Sequence, residues 1–133
     1  MHAHIRTLMN GQLVTVGPEV PLLDVAREIA AHDIGAVPVV DEHENLLGLV
    51  STSDVVAFFQ ERGTLEGKIA RQAMSAEPPV IDEFATAEEA MSVLRDARVR
   101  HLPVTREGRL VGLVTASDVI RHILAHHPAP EVA

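Results

Sequence analysis

A short motif is written twice in this chain. "GLVSTSDVV" runs from Gly48 to Val56 and "GLVTASDVI" from Gly112 to Ile120, identical at six of nine positions. The duplication is wider than the motif. At an offset of 65, Met9 falls on Met74, Val16 on Ile81, Val25 on Ala90 and Pro38 on Pro103; past the next turn the offset becomes 64, and Asp54 falls on Asp118. The one-residue slip lies between "DEHEN" (Asp41 to Asn45) and "REGR" (Arg106 to Arg109). Hairpin loops absorb such a change, and Asn45 and Gly108 are the residues expected to supply a positive φ there. An internal repeat restricts the fold to one supersecondary unit built twice.

Within each copy the apolar periods agree. "LVTV" (Leu13 to Val16) and "PVID" (Pro79 to Asp82) read as short strands. Leu22, Val25, Ala26, Ile29 and Ala30 share a helical face, repeated by Ala87, Ala90, Met91 and Leu94. "AVPVV" with "LLGLV", and "LPVT" with "RLVGLVT", read as hairpins. A second helix follows each, with Val55, Val56 and Phe59 matching Val119, Ile120 and Ile123. The expected fold class is α/β (α+β), two β-α-β-β-α repeats. Units of about 50 residues bury too little surface to stand alone, so the repeats are expected to pack sheet to sheet about a pseudo-twofold axis. The expected boundaries are 1–63 for the first repeat with its lead-in, 64–72 for a connector, 73–126 for the second repeat and 127–133 for a loose tail. Each copy is expected to carry its own lead-in, since the connector stretch "LEGKIARQAM" (Leu65 to Met74) echoes the N-terminal "IRTLM".

Composition narrows the function. Nineteen acidic residues against 11 basic give a net charge of −8, which weighs against a partner that presents phosphate along its length. With no Trp or Tyr and three Phe, there is no platform for stacking bases. No Cys is present, which excludes disulfides and thiol catalysis. No apolar run approaches membrane-spanning length, and "MHAHIRTLMN" lacks the apolar stretch of a secretory signal. A cytoplasmic location is expected.

The motif falls where a strand becomes a helix. Ser51 with Asp54, and Thr115 with Asp118, have the spacing of a capping box, a common structural device. The same geometry suits a ligand. A helix N-terminus offers N–H groups and positive potential to phosphate, a hydroxyl adds a donor, and a carboxylate accepts from two adjacent ribose hydroxyls. Hydroxyl, helix start and Asp together suggest a ribose-phosphate clamp.

The chain resembles the tandem cystathionine β-synthase (CBS) domain pair, or Bateman module. The resemblance covers roughly Ile5 to His126. It is carried by "IGAVPVVDEHENLLGLVSTSDVV" and "VRHLPVTREGRLVGLVTASDVI", with "LMNGQLVTV" and "AMSAEPPVI" opening the copies. It implies a disc with two clefts between the repeats that hold adenosyl ligands such as AMP, ADP, ATP or S-adenosylmethionine. It also implies contacts from Ser51, Asp54, Thr115 and Asp118 to phosphate and ribose. Ser53 and Ser117 would add donors, backbone around Thr15, Val16, Val80 and Ile81 would face the base, and Ile34 and Val99 would form apolar walls.

The two copies differ in charge. Arg100 and His101 stand where the first copy has Gly35 and Ala36, and the resemblance places basic residues of phosphate-binding members there. Arg clamps phosphate oxygens in pairs. His2, His4, His122, His126 and His127 have no carboxylate pattern beside them, and no metal site is expected. Phe58 and Phe59 read as core and dimer contact. No nucleophile is paired with a base, so no enzyme is expected. The reading is a regulatory module that senses an adenosine nucleotide, needs no cofactor, forms a homodimer and passes occupancy to a partner protein; neither nucleic acid nor membrane is an expected partner. The alternatives are a ligand-free dimerisation or docking module, and binding of another anion or nucleic acid through Arg98, Arg100 and Arg109.

Overall fold

A computed structural model describes residues 3–126; His2, His127 and the expected tail fall outside them. The described chain divides into two compact units, one of Gln12–Pro78 and one that joins the residues up to Gly11 with those from Pro79 on.

In the unit Gln12–Pro78, α1 (Leu22–His32) leads to an antiparallel hairpin, β1 (Ala36–Val40) and β2 (Leu46–Ser51). Then come α2 (Thr52–Arg62), a one-turn α3 (Ala70–Ala73) and β3 (Ser75–Ala76), which pairs with β2 to give the order β1-β2-β3. Leu22 and Val25 bury one face of α1, and its stripe ends early: Ala30 is exposed, and the helix ends at Asp33, which is left-handed at φ 50°. "LVTV" forms no regular strand. Val16 alone bridges Val39, in parallel sense, donating to the Pro38 carbonyl at 3.1 Å and accepting from Val40 N–H at 2.9 Å. Gly17 and Pro18 follow at once, and a proline cannot extend the ladder. The core gathers Val16, Leu22, Val25, Val37, Val39, Val50, Phe58 and Ala70. On α2 the buried residue is Phe58, while Val56 and Phe59 of the expected stripe point outward, Phe59 being 53% exposed.

The second unit repeats the order with regular ends. β4 (Ile81–Asp82) pairs in parallel with β5 (His101–Arg106), which forms a hairpin with β6 (Arg109–Thr115), in the order β4-β5-β6. α4 (Ala87–Ala97) is capped by Thr86, whose hydroxyl accepts from Glu89 N–H at 3.1 Å; α5 is Ala116–His126. The tight turn uses positive φ at Glu107 (50°) and Gly108 (80°). In the other hairpin the positive φ falls on Glu44 (64°) rather than Asn45. The Asp41 carboxylate fixes that loop by accepting from the N–H groups of His43 at 2.8 Å and Asn45 at 2.9 Å.

The lead-ins are exchanged. Ile5, in a short 3-10 turn (Ile5–Thr7), is fully buried in the core with Leu102, Val104, Val114 and Val119. Asn10 bridges Leu113 on β6. A Cβ added at Gly112 would run into the Met9 side chain, with Cγ at 2.9 Å. In the other unit a Cβ at Gly48 would meet Met74 Sδ at 2.6 Å. The segment before the first copy therefore completes the sheet of the second, and the segment before the second completes that of the first. The expectation that each copy keeps its own lead-in fails, because the groove over each glycine is filled from the other end of the repeat.

Candidate functional site

Each copy turns from strand to helix without a loop residue, and the motif does the turning. Ser51 is the last residue of β2 and the N-cap of α2. Its Oγ accepts from Asp54 N–H at 3.0 Å, while Asp54 Oδ2 accepts from Ser51 N–H at 2.8 Å. In the second copy Thr115 Oγ1 accepts from Asp118 N–H at 3.1 Å, and Asp118 Oδ2 accepts from Thr115 N–H at 3.3 Å. Each box satisfies two N–H groups that the helix start would leave unpaired. A third is taken by the residue just before the facing strand: Thr52 N–H donates to Gly35 O at 2.9 Å, and Ala116 N–H to Arg100 O at 2.8 Å.

That last bond positions the basic pair. Arg100 is tied by its carbonyl to the first turn of α5, and His101 is the β5 partner of Thr115 on β6. Arg100, His101, Thr115, Ser117 and Asp118 thus come together in one unit, at the positive end of an 11-residue helix. Ser51, Ser53 and Asp54 hold the equivalent positions at the start of α2 in the other unit. Ile34 and Val99 follow the helix ends, donating to Ile29 O and Leu94 O at 3.2 Å, and each precedes the residue whose carbonyl holds the next helix. Both are partly buried against their cores.

The other expected residues lie further along the strands. Val16 pairs with Val39 and Ile81 with Val104, three residues from the ends that face Ser51 and Thr115. That is about 10 Å of extended chain. The side chains of Val16 and Ile81 are core members, Thr15 is exposed and Val80 is exposed. Thr15 and Val16 instead line a groove of about 610 Å³ with Pro18, Val40 and Asp41. A matching groove of about 540 Å³ lies in the other unit between Arg6, Asp82, Glu83, Phe84, Arg106 and Glu107.

The two seats are not equal. Arg121 Nη2 lies 2.5 Å from Asp118 Oδ1, so both oxygens of that carboxylate are engaged. The residue three after Asp54 is Ala57, and among the described residues only the cap bonds reach Asp54. Sequence reading passed over Arg121, though its i,i+3 spacing from Asp118 was the signal. It also passed over the Glu83–Arg106 pair, which has no periodic signature. The rings of His122 and His126 lie 4.2 Å apart on α5. Among the described residues no three metal-binding side chains gather, and no helix is long and apolar enough to cross a membrane.

The family model for the CBS domain matches residues 5–61 and again 70–125. Hypoxic response protein 1 of Mycobacterium tuberculosis is 32% identical over 126 residues, spanning 91% of this chain and 85% of that protein. A crystal structure of that protein with two coordinated zinc ions superposes with a TM-score of 0.80 at 30% identity, covering 90% of this chain and 98% of that one. A CBS-domain protein from Agrobacterium tumefaciens gives 0.82 at 29% identity, covering 91% and 98%. CBSX2 of Arabidopsis thaliana, solved in complex with AMP, gives 0.81 at 26% identity, covering 94% and 98%.

Proposed function

The chain belongs to the CBS-domain family, with two copies of the domain in tandem, and we propose that it is a regulatory module binding an adenosine-containing nucleotide. AMP, ADP, ATP and S-adenosylmethionine are the ligands in question. The observation that carries this reading is the seat at α5. There a half-buried carboxylate, a hydroxyl and a helix N-terminus are joined by Arg100 and His101, held in place by the bond from Ala116 N–H to Arg100 O. The helix end and the guanidinium favour phosphate; Asp54 and Asp118 suit a ribose diol. The AMP complex of a relative with the same fold supports the ligand class. Occupancy would reach a partner by favouring one conformation of the chain over another.

Thermal denaturation with each of the four ligands, followed by calorimetric titration of any that act, tests the reading. A ligand at 100 times its Kd stabilises by about 2.7 kcal/mol. Absence of a shift with all four, at millimolar concentration, would refute it.

A second reading has its own support. Both capping boxes are closed by the protein's own groups, and Val56, Phe59, Ile120 and Leu124 stand exposed on α2 and α5. A docking or homodimerising module needs such faces and no ligand. It predicts self-association in analytical ultracentrifugation together with no response to any nucleotide.

A further inference from the structure

Asp54 and Asp118 differ in what their carboxylates already bind. Each carboxylate gives Oδ2 to its cap. The oxygen with no cap bond, and so the most open to a ribose diol, is Oδ1. In the second copy that oxygen is occupied by the Arg121 guanidinium, from the same helix and one turn on. In the first copy the position one turn on is Ala57, which has no donor. A diol at Asp118 competes with a charged donor for the same oxygen; at Asp54 the residue one turn on offers no such competitor.

We propose that Arg121 is an intrachain competitor for the diol position of the second seat, so that discrimination for a ribose diol resides mainly at Asp54. This rests on the nucleotide reading above. The Arg121 side chain is 70% exposed and that of Asp118 30% exposed, so the ion pair is screened and weak, a factor of about two to five. Arg121 therefore acts as a bias rather than a seal.

The test compares AMP with 2′-deoxy-AMP by calorimetric titration of the full chain, because the ratio of their affinities reports diol contact and cancels the phosphate. Wild type should prefer AMP by about tenfold, the size of a hydrogen bond to a charged acceptor. Asp54→Asn, which keeps an acceptor for Ser51 N–H, should lose most of that preference, and Asp118→Asn a smaller part of it. In the Asp54→Asn background, Arg121→Ala should restore a preference of severalfold through Asp118. Arg121 is exposed, so that variant should melt near its parent; Arg121→Gln, which keeps a donor but not the charge, should restore less. If the preference survives Asp54→Asn and vanishes in Asp118→Asn, or if Arg121→Ala restores none, the proposal is wrong while the nucleotide reading stands. If wild type binds AMP without preference for the diol, the ribose assignment falls, and this proposal with it. If wild type binds neither compound, the nucleotide reading itself fails.

Discussion

The carboxylate of Glu83, 2% exposed, accepts two hydrogen bonds from Arg106, from Nε at 2.7 Å and from Nη2 at 2.9 Å. It is the buried charged residue of the described chain, and it sits where β4 ends. The Arg106 side chain remains 60% exposed, so the guanidinium carries the pair's solvation. The Arg106 hydrogen bonds hold the Glu83 carboxyl below its usual range against the opposing effect of burial, with Arg6 adding a smaller pull. A carboxyl whose folded pKa is depressed contributes stability that is present above its unfolded value, about 4.3, and is lost as pH falls through the folded value. Glu83→Gln should lower the melting temperature at pH 7 and flatten its dependence on pH below about 4.5. Melting curves between pH 3 and 7 check this, and parallel curves for the two proteins would show that the pair does not drive acid sensitivity.

Glycine is required where a lead-in crosses a sheet. At Gly48 a Cβ would lie 2.8 Å from the Ser75 carbonyl oxygen as well as against Met74. At Gly112 the backbone neighbour, Asn10 O, is 3.2 Å away and the closest obstacle is the Met9 side chain. Overpacking costs about 1–3 kcal/mol. Gly48→Ala should fall at the upper end, because backbone must move, and Gly112→Ala at the lower, because a thioether can turn aside. In chemical denaturation Met9→Ala should relieve Gly112→Ala more than Met74→Ala relieves Gly48→Ala.

Ile5 is remote in sequence from the core it fills. Truncating it to alanine should destabilise by about 2–5 kcal/mol, the range for a buried isoleucine, despite its place in the first ten residues. Hydrogen exchange should locate the loss in β5, β6 and α4 rather than in α1 or β1. A loss spread evenly over both units, or none, would contradict the exchange of lead-ins.

Arg100 is offered as a phosphate donor and not as a sugar contact. Arg100→Ala should weaken AMP binding by about tenfold or more and reduce its sensitivity to salt, leaving adenosine close to wild type. Titrations of both ligands at two salt concentrations decide it; an equal loss for adenosine would mean that Arg100 shapes the seat rather than clamping phosphate.

Much of this was written in the sequence because the responsible forces are local. The capping boxes at Ser51 and Thr115 join residues three apart, and the short apolar runs "AVPVV" and "RLVGLVT" mark strands, the first buried at four successive positions. The apolar period likewise marked the inner faces of α1 and α4. Local pattern erred where a competing local constraint prevailed. The strand expected at Leu13 to Val16 is reduced to the single bridge of Val16 to Val39, with Gly17 and Pro18 ending it, and the positive φ of the first hairpin falls on Glu44, in a loop whose Asp41 carboxylate accepts from His43 and Asn45. Tertiary structure alone decided what depends on distant residues. Met9 and Met74 read as equivalent in two equivalent lead-ins, and nothing in periodicity tells which glycine each will cover; that follows from which sheet has an open edge within the chain's reach. Glu83 and Arg106 are 23 residues apart, and their pairing follows from the parallel register of β4 on β5. The inequality of Asp54 and Asp118 was present as Ala57 against Arg121, yet it acquired meaning only when the fold turned the guanidinium onto the carboxylate, since a charge acts through the distance to its partner and not through its place in the chain.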